Sequence, residues 1–165
     1  AHARLPDAVR RAHPLVLVGG AGWHSDALRA KLARAGDGDG DPPIRWLGHV
    51  DDAELPALYA AASMLAYPSL EEGFGLPVLE AMACGCPVLT SDRGALREVV
   101  GGGDFALRVD PTDVDALCDG LHRLLTDDAL ALALRQRGPD RAAHFAWSRT
   151  ARETRALYRR IAARP

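Results

Sequence analysis

Hydrophobic positions along this chain follow two rhythms. Short unbroken apolar runs, bounded by glycine or proline, alternate with stretches in which apolar residues recur every three or four positions. The first rhythm marks strands buried on both faces, the second helices with one face turned inward. "PLVLVG" (14–19), "IRWLG" (44–48), "MLAYPS" (64–69), "PVLTS" (87–91) and "FALRVD" (105–110) read as five strands. Segments 25–36, 51–62, 75–85 and 95–101 read as the helices between them. Ser25 is placed to cap the first helix, Leu28 and Leu32 share its face, and Gly36 stops it. Asp51 and Glu54 have capping-box spacing, with Pro56 in the opening turns. "DGDGDPP" (37–43) reads as a loop. Past residue 110 the pattern is all helix. Thr112 and Asp115 form a second capping pair ahead of Val114, Leu117, Leu121 and Leu124. The next helix, from about 127, is expected to break at Gly138-Pro139. Segment 148–164 is a basic terminal helix.

Strand–helix alternation with apolar strands implies an α/β fold: a parallel sheet with helices on both faces. The whole chain, 1–165, reads as one domain, with 112–165 a helical segment. Ligands of such sheets bind outside the carboxyl ends of the strands. Those ends are Gly19-Gly20, Gly48-His49-Val50, Ser69 to Phe74, and Ser91-Asp92.

Charge narrows the classes of partner. Twenty basic and 22 acidic residues in 165 give a net charge near −2, which excludes a nucleic-acid-binding balance. Basic residues concentrate towards the end. A solvated helix face explains them, with contact to an anionic membrane surface as the alternative. Three cysteines, Cys84, Cys86 and Cys118, are too few for a disulfide framework and fit a reducing, cytoplasmic setting. Cys84-Gly-Cys86 lacks a second ligand pair, so no metal site is expected. The opening "AHARLPDAVRRAHP" has neither Met nor the apolar core of a signal peptide, and reads as the interior of a longer protein.

The chemistry concentrates in "EEGFGLPVLEAMACG", residues 71–85. Gly73 and Gly75 allow unusual backbone angles and let a ligand approach the main chain. A helix beginning near Leu76 offers unpaired N–H groups and partial positive charge to a phosphate. Pro77 in its first turn loses no helical bond. Glu72 precedes this seat and Glu80 lies within the first two turns. A carboxylate accepts hydrogen bonds from vicinal hydroxyls such as those of a sugar ring. The order carboxylate, amides, carboxylate suits a ribose, a diphosphate and a hexose. Each residue type also has a plainer use: Glu80 favours the helix dipole, Glu72 is a solvated loop acid, and the glycines make a turn. The residues alone leave both readings open.

"EEGFGLPVLEAMACGCPVLTSDRGALREVVG" resembles the signature of the retaining glycosyltransferases of family 4, group 1. Its mark is two glutamates separated by seven residues, in the pattern E-G-F-G-L-x-x-x-E-A-M-A-x-G-x-P-V, matched here from Glu72 to Val88. The upstream "LVLVGGAGW" and "IRWLGHVDDAELPALYAAASMLAYPS" and the downstream "LRVDPTDVDAL" are similar to the family's flanking blocks, so the resemblance runs from about 14 to 125. It implies the C-terminal, donor-binding, Rossmann-like domain of a GT-B enzyme.

The resemblance also implies roles. Glu72, the catalytic candidate, would orient the donor sugar through its hydroxyls. The main chain of Gly73, Phe74, Gly75 and Leu76 would line the sugar and phosphate, and Glu80 would hold the ribose. Val50 would meet the base and Asp52 its edge, with Gly19 and Gly20 bordering the diphosphate channel. The expected ligand is a nucleoside diphosphate sugar, with no cofactor and no metal. Part of the pattern is missing. The family's first strand of this domain, with its phosphate-binding Arg and Lys, has no counterpart, nor has the acceptor-binding N-terminal domain. The first strand is central in the order 3-2-1-4-5-6, so the sheet should be gapped or filled by another segment. The chain alone should be inactive. An epimerase of the same architecture and a non-catalytic binding or assembly domain are the rival readings.

Overall fold

The computed structural model describes residues 1–20, 30, 32 and 44–163. The expected helix start at Ser25, its stop at Gly36 and the loop at 37–43 lie outside them. Ala30 and Leu32 are helical, as that expectation has it.

Five strands form, each within two residues of its expected start: β1 (Leu15–Val18), β2 (Ile44–Gly48), β3 (Leu65–Tyr67), β4 (Val88–Ser91) and β5 (Leu107–Val109). Among the described residues all pairings are parallel. The strands nevertheless divide into two sheets, β1-β2 and β3-β4-β5, with no pairing between β1 and β3. Among the described residues the sheet is thus gapped, the first of the two expected outcomes, with no strand between β1 and β3. It falls where a strand order of 2-1-x-3-4-5 would place a missing central strand. At their amino ends the sheets are tied by His13 Nδ1 and Ser63 Oγ, 3.0 Å apart.

β4 is buried along its whole length. Alternation sends its side chains to opposite faces. Val88 joins a core with Val78, Leu79 and Met82 of α3 (Leu76–Ala83) and with Leu96, Val99 and Val100 of α4 (Gly94–Val100). Leu89 joins a second core with Leu124 of α5 (Val114–Thr126) and Leu134 of α6 (Asp128–Ala143). Each fully buried Val or Leu contributes roughly 1.5–3 kcal/mol. Helices thus cover both faces of the three-stranded sheet, as its apolar strands require.

Several boundaries depart from expectation. α2 (Leu55–Ala61) begins four residues after Asp51, with Pro56 in its first turn and no side-chain cap. The cap of α5 is Asp113, which accepts from the amides of Asp115 and Ala116. Thr112, expected there, bonds to Asp110 instead. α6 does not break at Gly138-Pro139 but continues to Ala143. The close packing of α6 on α3 explains why: a Cβ on Gly138 would lie 3.2 Å from the Met82 carbonyl oxygen. Burial across that contact outweighs the single hydrogen bond that Pro139 removes.

At the amino end, α1 (Asp7–Ala12) carries Arg10 and Arg11, and Leu5 before it is buried. At the other end, α7 (Trp147–Ala162) is exposed along its whole length. Among the described residues no helix is long and apolar enough to cross a membrane.

Candidate functional site

After Tyr67 the chain crosses Pro68–Gly75 before entering α3. Gly75 caps that helix in the left-handed region, at φ 97° and ψ 43°. A Cβ on it would stand 2.5 Å from Cδ2 of Leu96, itself fully buried. Only glycine satisfies both conditions. Gly73 differs. Its φ is not positive, and a Cβ built on it meets nothing within 4 Å. The unusual backbone angle expected of both glycines is therefore used at Gly75 alone. At Gly73 the missing side chain leaves open space above the main chain.

The helix start then has three open donors. Pro77 has no N–H, and the amides of Val78 and Leu79 both donate to the Gly75 carbonyl, at 3.1 and 3.4 Å. Among the described residues the amides of Phe74, Gly75 and Leu76 donate to no protein acceptor. Together with about half a positive charge at the helix end, they form a seat for an anion.

The two carboxylates flank this seat, and each is held by a tyrosine. Glu72, half-buried, accepts from the Tyr67 hydroxyl at 2.7 Å. Glu80, exposed, accepts from the Tyr59 hydroxyl at 3.3 Å. The first bond is short and the second stretched, so Glu72 is held firmly and Glu80 loosely. Burial, then the hydrogen bond and charge of Glu72, push the Tyr67 phenol up to about 12. Burial and the charge of Glu80 raise Tyr59 as well. Both phenols remain donors at neutral pH. Sequence pattern does not single out either tyrosine. For Tyr67 a signal exists: a polar-tipped aromatic on the last residue of a strand, close before an acid. For Tyr59, 21 residues from Glu80, none exists.

The other expected residues gather at the carboxyl ends of β1 and β2. The Gly19 amide donates to the Gly48 carbonyl at 2.7 Å, and Trp46 Nε1 donates to the Gly19 carbonyl at 2.9 Å. Gly20 is open to solvent, with nothing within 4 Å of a Cβ. Val50 is half-buried just beyond Gly48, and Asp52 is exposed in the turn before α2. Among the described residues no hydrogen bond joins this group directly to the Glu72 loop. The link is α2, whose Tyr59 reaches Glu80.

Leu70, Phe74 and Leu76 are exposed large apolar side chains on and beside the loop. Ser91 Oγ, at the carboxyl end of β4, is buried without a hydrogen-bond partner among the described residues. The three cysteines are free thiols, and burial pushes Cys86 up to about 11. Among the described residues no three His, Cys, Asp or Glu side chains cluster at metal-binding distance.

The family model for glycosyl transferases group 1 matches residues 2–127. The chain is 43% identical over 159 residues to O-antigen chain mannosyltransferase B of Escherichia coli, covering 96% of this chain and 40% of that protein. It is 45% identical over 117 residues to an MMP alpha-(1->4)-mannosyltransferase of Mycolicibacterium hassiacum, covering 70% of this chain and 28% of that protein. The solved sucrose-phosphate synthase of Thermosynechococcus elongatus is similar with a TM-score of 0.75 and 29% identity, over 96% of this chain and 50% of that one. The chain thus spans less than half the length of both curated relatives.

Proposed function

Because the chain belongs to the glycosyl transferases of group 1 and has a GT-B C-terminal fold, we propose that it binds the sugar donor of a retaining hexosyltransferase. The observation that carries this reading is the arrangement at α3: three unpaired amides between two tyrosine-held carboxylates. The donor is a nucleoside diphosphate hexose. Its diphosphate rests on the amides of Phe74, Gly75 and Leu76, its ribose on Glu80 and its sugar on Glu72. The Val50 main chain and Asp52 meet the base, and Gly19-Gly20 border the diphosphate. Two relatives named as mannosyltransferases make mannose the first sugar to test.

The parent enzyme transfers that hexose to a hydroxyl acceptor held by a facing domain. Catalysis rests on positioning and on electrostatic stabilisation of the departing diphosphate. One helix end, with about half a positive charge, does not balance the two or so negative charges of a diphosphate. Further cationic groups must supply the remainder, and we expect this chain alone to be inactive. No metal is required, so a chelator should leave donor binding by the parent enzyme unchanged.

Calorimetry of nucleoside diphosphates on the full-length enzyme, with Glu80→Ala and Glu72→Ala beside it, tests the assignment. Glu80→Ala should weaken nucleoside diphosphate binding about tenfold or more, the worth of a charged hydrogen bond. Glu72→Ala should spare nucleotide binding and suppress sugar transfer. Equal loss of nucleotide affinity in both variants would refute the division of roles.

A further inference from the structure

Phe74 is the one side chain between the two glycines of the loop, and the residue is 45% exposed. Its partner is far away in sequence. The Phe145 ring meets it edge-on, with centroids 5.9 Å apart and planes at 80°. Phe145 lies in the turn between α6 and α7, where its amide donates to the Ala142 carbonyl at 2.9 Å. Arg141 also packs on it, its guanidinium 4.8 Å from the ring centroid. That guanidinium is itself fixed, since Arg141 Nε donates to the Val99 carbonyl at 2.7 Å and a second nitrogen to the Glu98 carbonyl. Both carbonyls belong to the last turn of α4. A line of contacts therefore runs from α4 through Arg141 and Phe145 to Phe74.

We propose that Phe145 is a positioning residue for the donor loop: it holds Phe74, and through it the amides of Phe74, Gly75 and Leu76, in their binding geometry. The inference rests on the donor-site reading for its consequence, but not for the contact itself. A Gly-Phe-Gly segment loses more freedom on ordering than other sequences do. Gly73 and Gly75 have no side chains to hold, so the Phe74 ring is the handle on this part of the loop, beyond the Tyr67–Glu72 bond. An edge-to-face pair gives a bias of about three- to tenfold towards the ordered loop. On this proposal Phe145 acts through Phe74, the ring it meets.

The test uses the full-length enzyme with Phe145→Ala, Phe145→Tyr, Phe74→Ala and the double alanine variant. Calorimetry with a nucleoside diphosphate should show Phe145→Ala weakened about three- to tenfold, with Phe145→Tyr restored to near the parent value. In the Phe74→Ala background, Phe145→Ala should add nothing, because its effect passes through that ring. Hydrogen exchange of the 70–79 peptide should quicken in Phe145→Ala and not in Phe145→Tyr, while the 114–126 peptide is unchanged. Multiplicative losses in the double variant, unchanged exchange at 70–79, or faster exchange along the whole chain would each overturn the proposal. A parent enzyme that binds no nucleoside diphosphate would overturn the donor reading instead, and exchange would still decide the role of Phe145.

Discussion

Gly73 and Gly75 flank one phenylalanine, yet the structure assigns them opposite sensitivities to the same added methyl group. In Gly75→Ala the residue keeps φ near 97°, a region that costs a non-glycine residue about 1–2 kcal/mol. The new Cβ also falls 2.5 Å from Cδ2 of Leu96. Leu96 is fully buried in the core with α3, so its Cδ2 must shift inside packed surroundings, and overpacking adds about 1–3 kcal/mol. The sum is about 2–5 kcal/mol, which for a domain of this size lowers Tm by about 4–20 °C. Gly73→Ala meets nothing within 4 Å and no positive φ, so its stability should stay within about 0.5 kcal/mol of the parent. On the proposed donor site its methyl instead projects towards the ligand, where crowding of about 1–3 kcal/mol should weaken nucleotide binding about 5- to 150-fold. Denaturant unfolding and nucleotide calorimetry on both variants separate the effects. If Gly75→Ala unfolds like the parent, or Gly73→Ala binds like it, the assignment of one glycine to the fold and the other to the ligand is wrong.

Three further outcomes follow from particular contacts. Tyr67→Phe removes the 2.7 Å bond that fixes Glu72, so sugar transfer by the full enzyme should fall about three- to tenfold while nucleoside diphosphate affinity stays constant. The same phenol is raised to about 12 in the fold against 10.0 unperturbed. Its stabilising contribution is therefore complete below pH 10 and lost as pH rises through about 12, and Tyr67→Phe should flatten the loss of denaturation midpoint measured from pH 9 upward. Gly138→Val should destabilise the chain by about 1–3 kcal/mol in denaturant, because its side chain would press on the Met82 backbone where α6 crosses α3.

The site was legible in the sequence where its logic is local. Gly75, Pro77 and Glu80 all serve one helix start, and Glu72 lies three residues before its cap, so spacing alone places them together. The strands were legible for the same reason. Val88 and Leu89 are both apolar because β4 has a helical layer on each face, and that shows as an unbroken run. Gly138-Pro139 reads as a stop by every local rule, yet α6 runs through it, because its burial against α3 is a gain that no local rule contains. Asp113 replaced Thr112 as a cap for a smaller reason: Asp110 had already engaged the Thr112 hydroxyl.

What the sequence by itself determined is the alternation of five strands with helices, the parallel class of the sheet, and the glutamate–glycine–glutamate order at the mouth of β3. Each depends on periodicity or on residues a few positions apart, where chain geometry permits few alternatives. Only the tertiary structure decided which groups meet. It decided, between a gapped and a filled sheet, for the gap among the described residues, brought the Tyr59 hydroxyl to Glu80 across 21 residues, and set Phe145 against Phe74. Such pairings are selected by the packing of whole elements, and residues far apart in the chain carry no spacing rule that announces them.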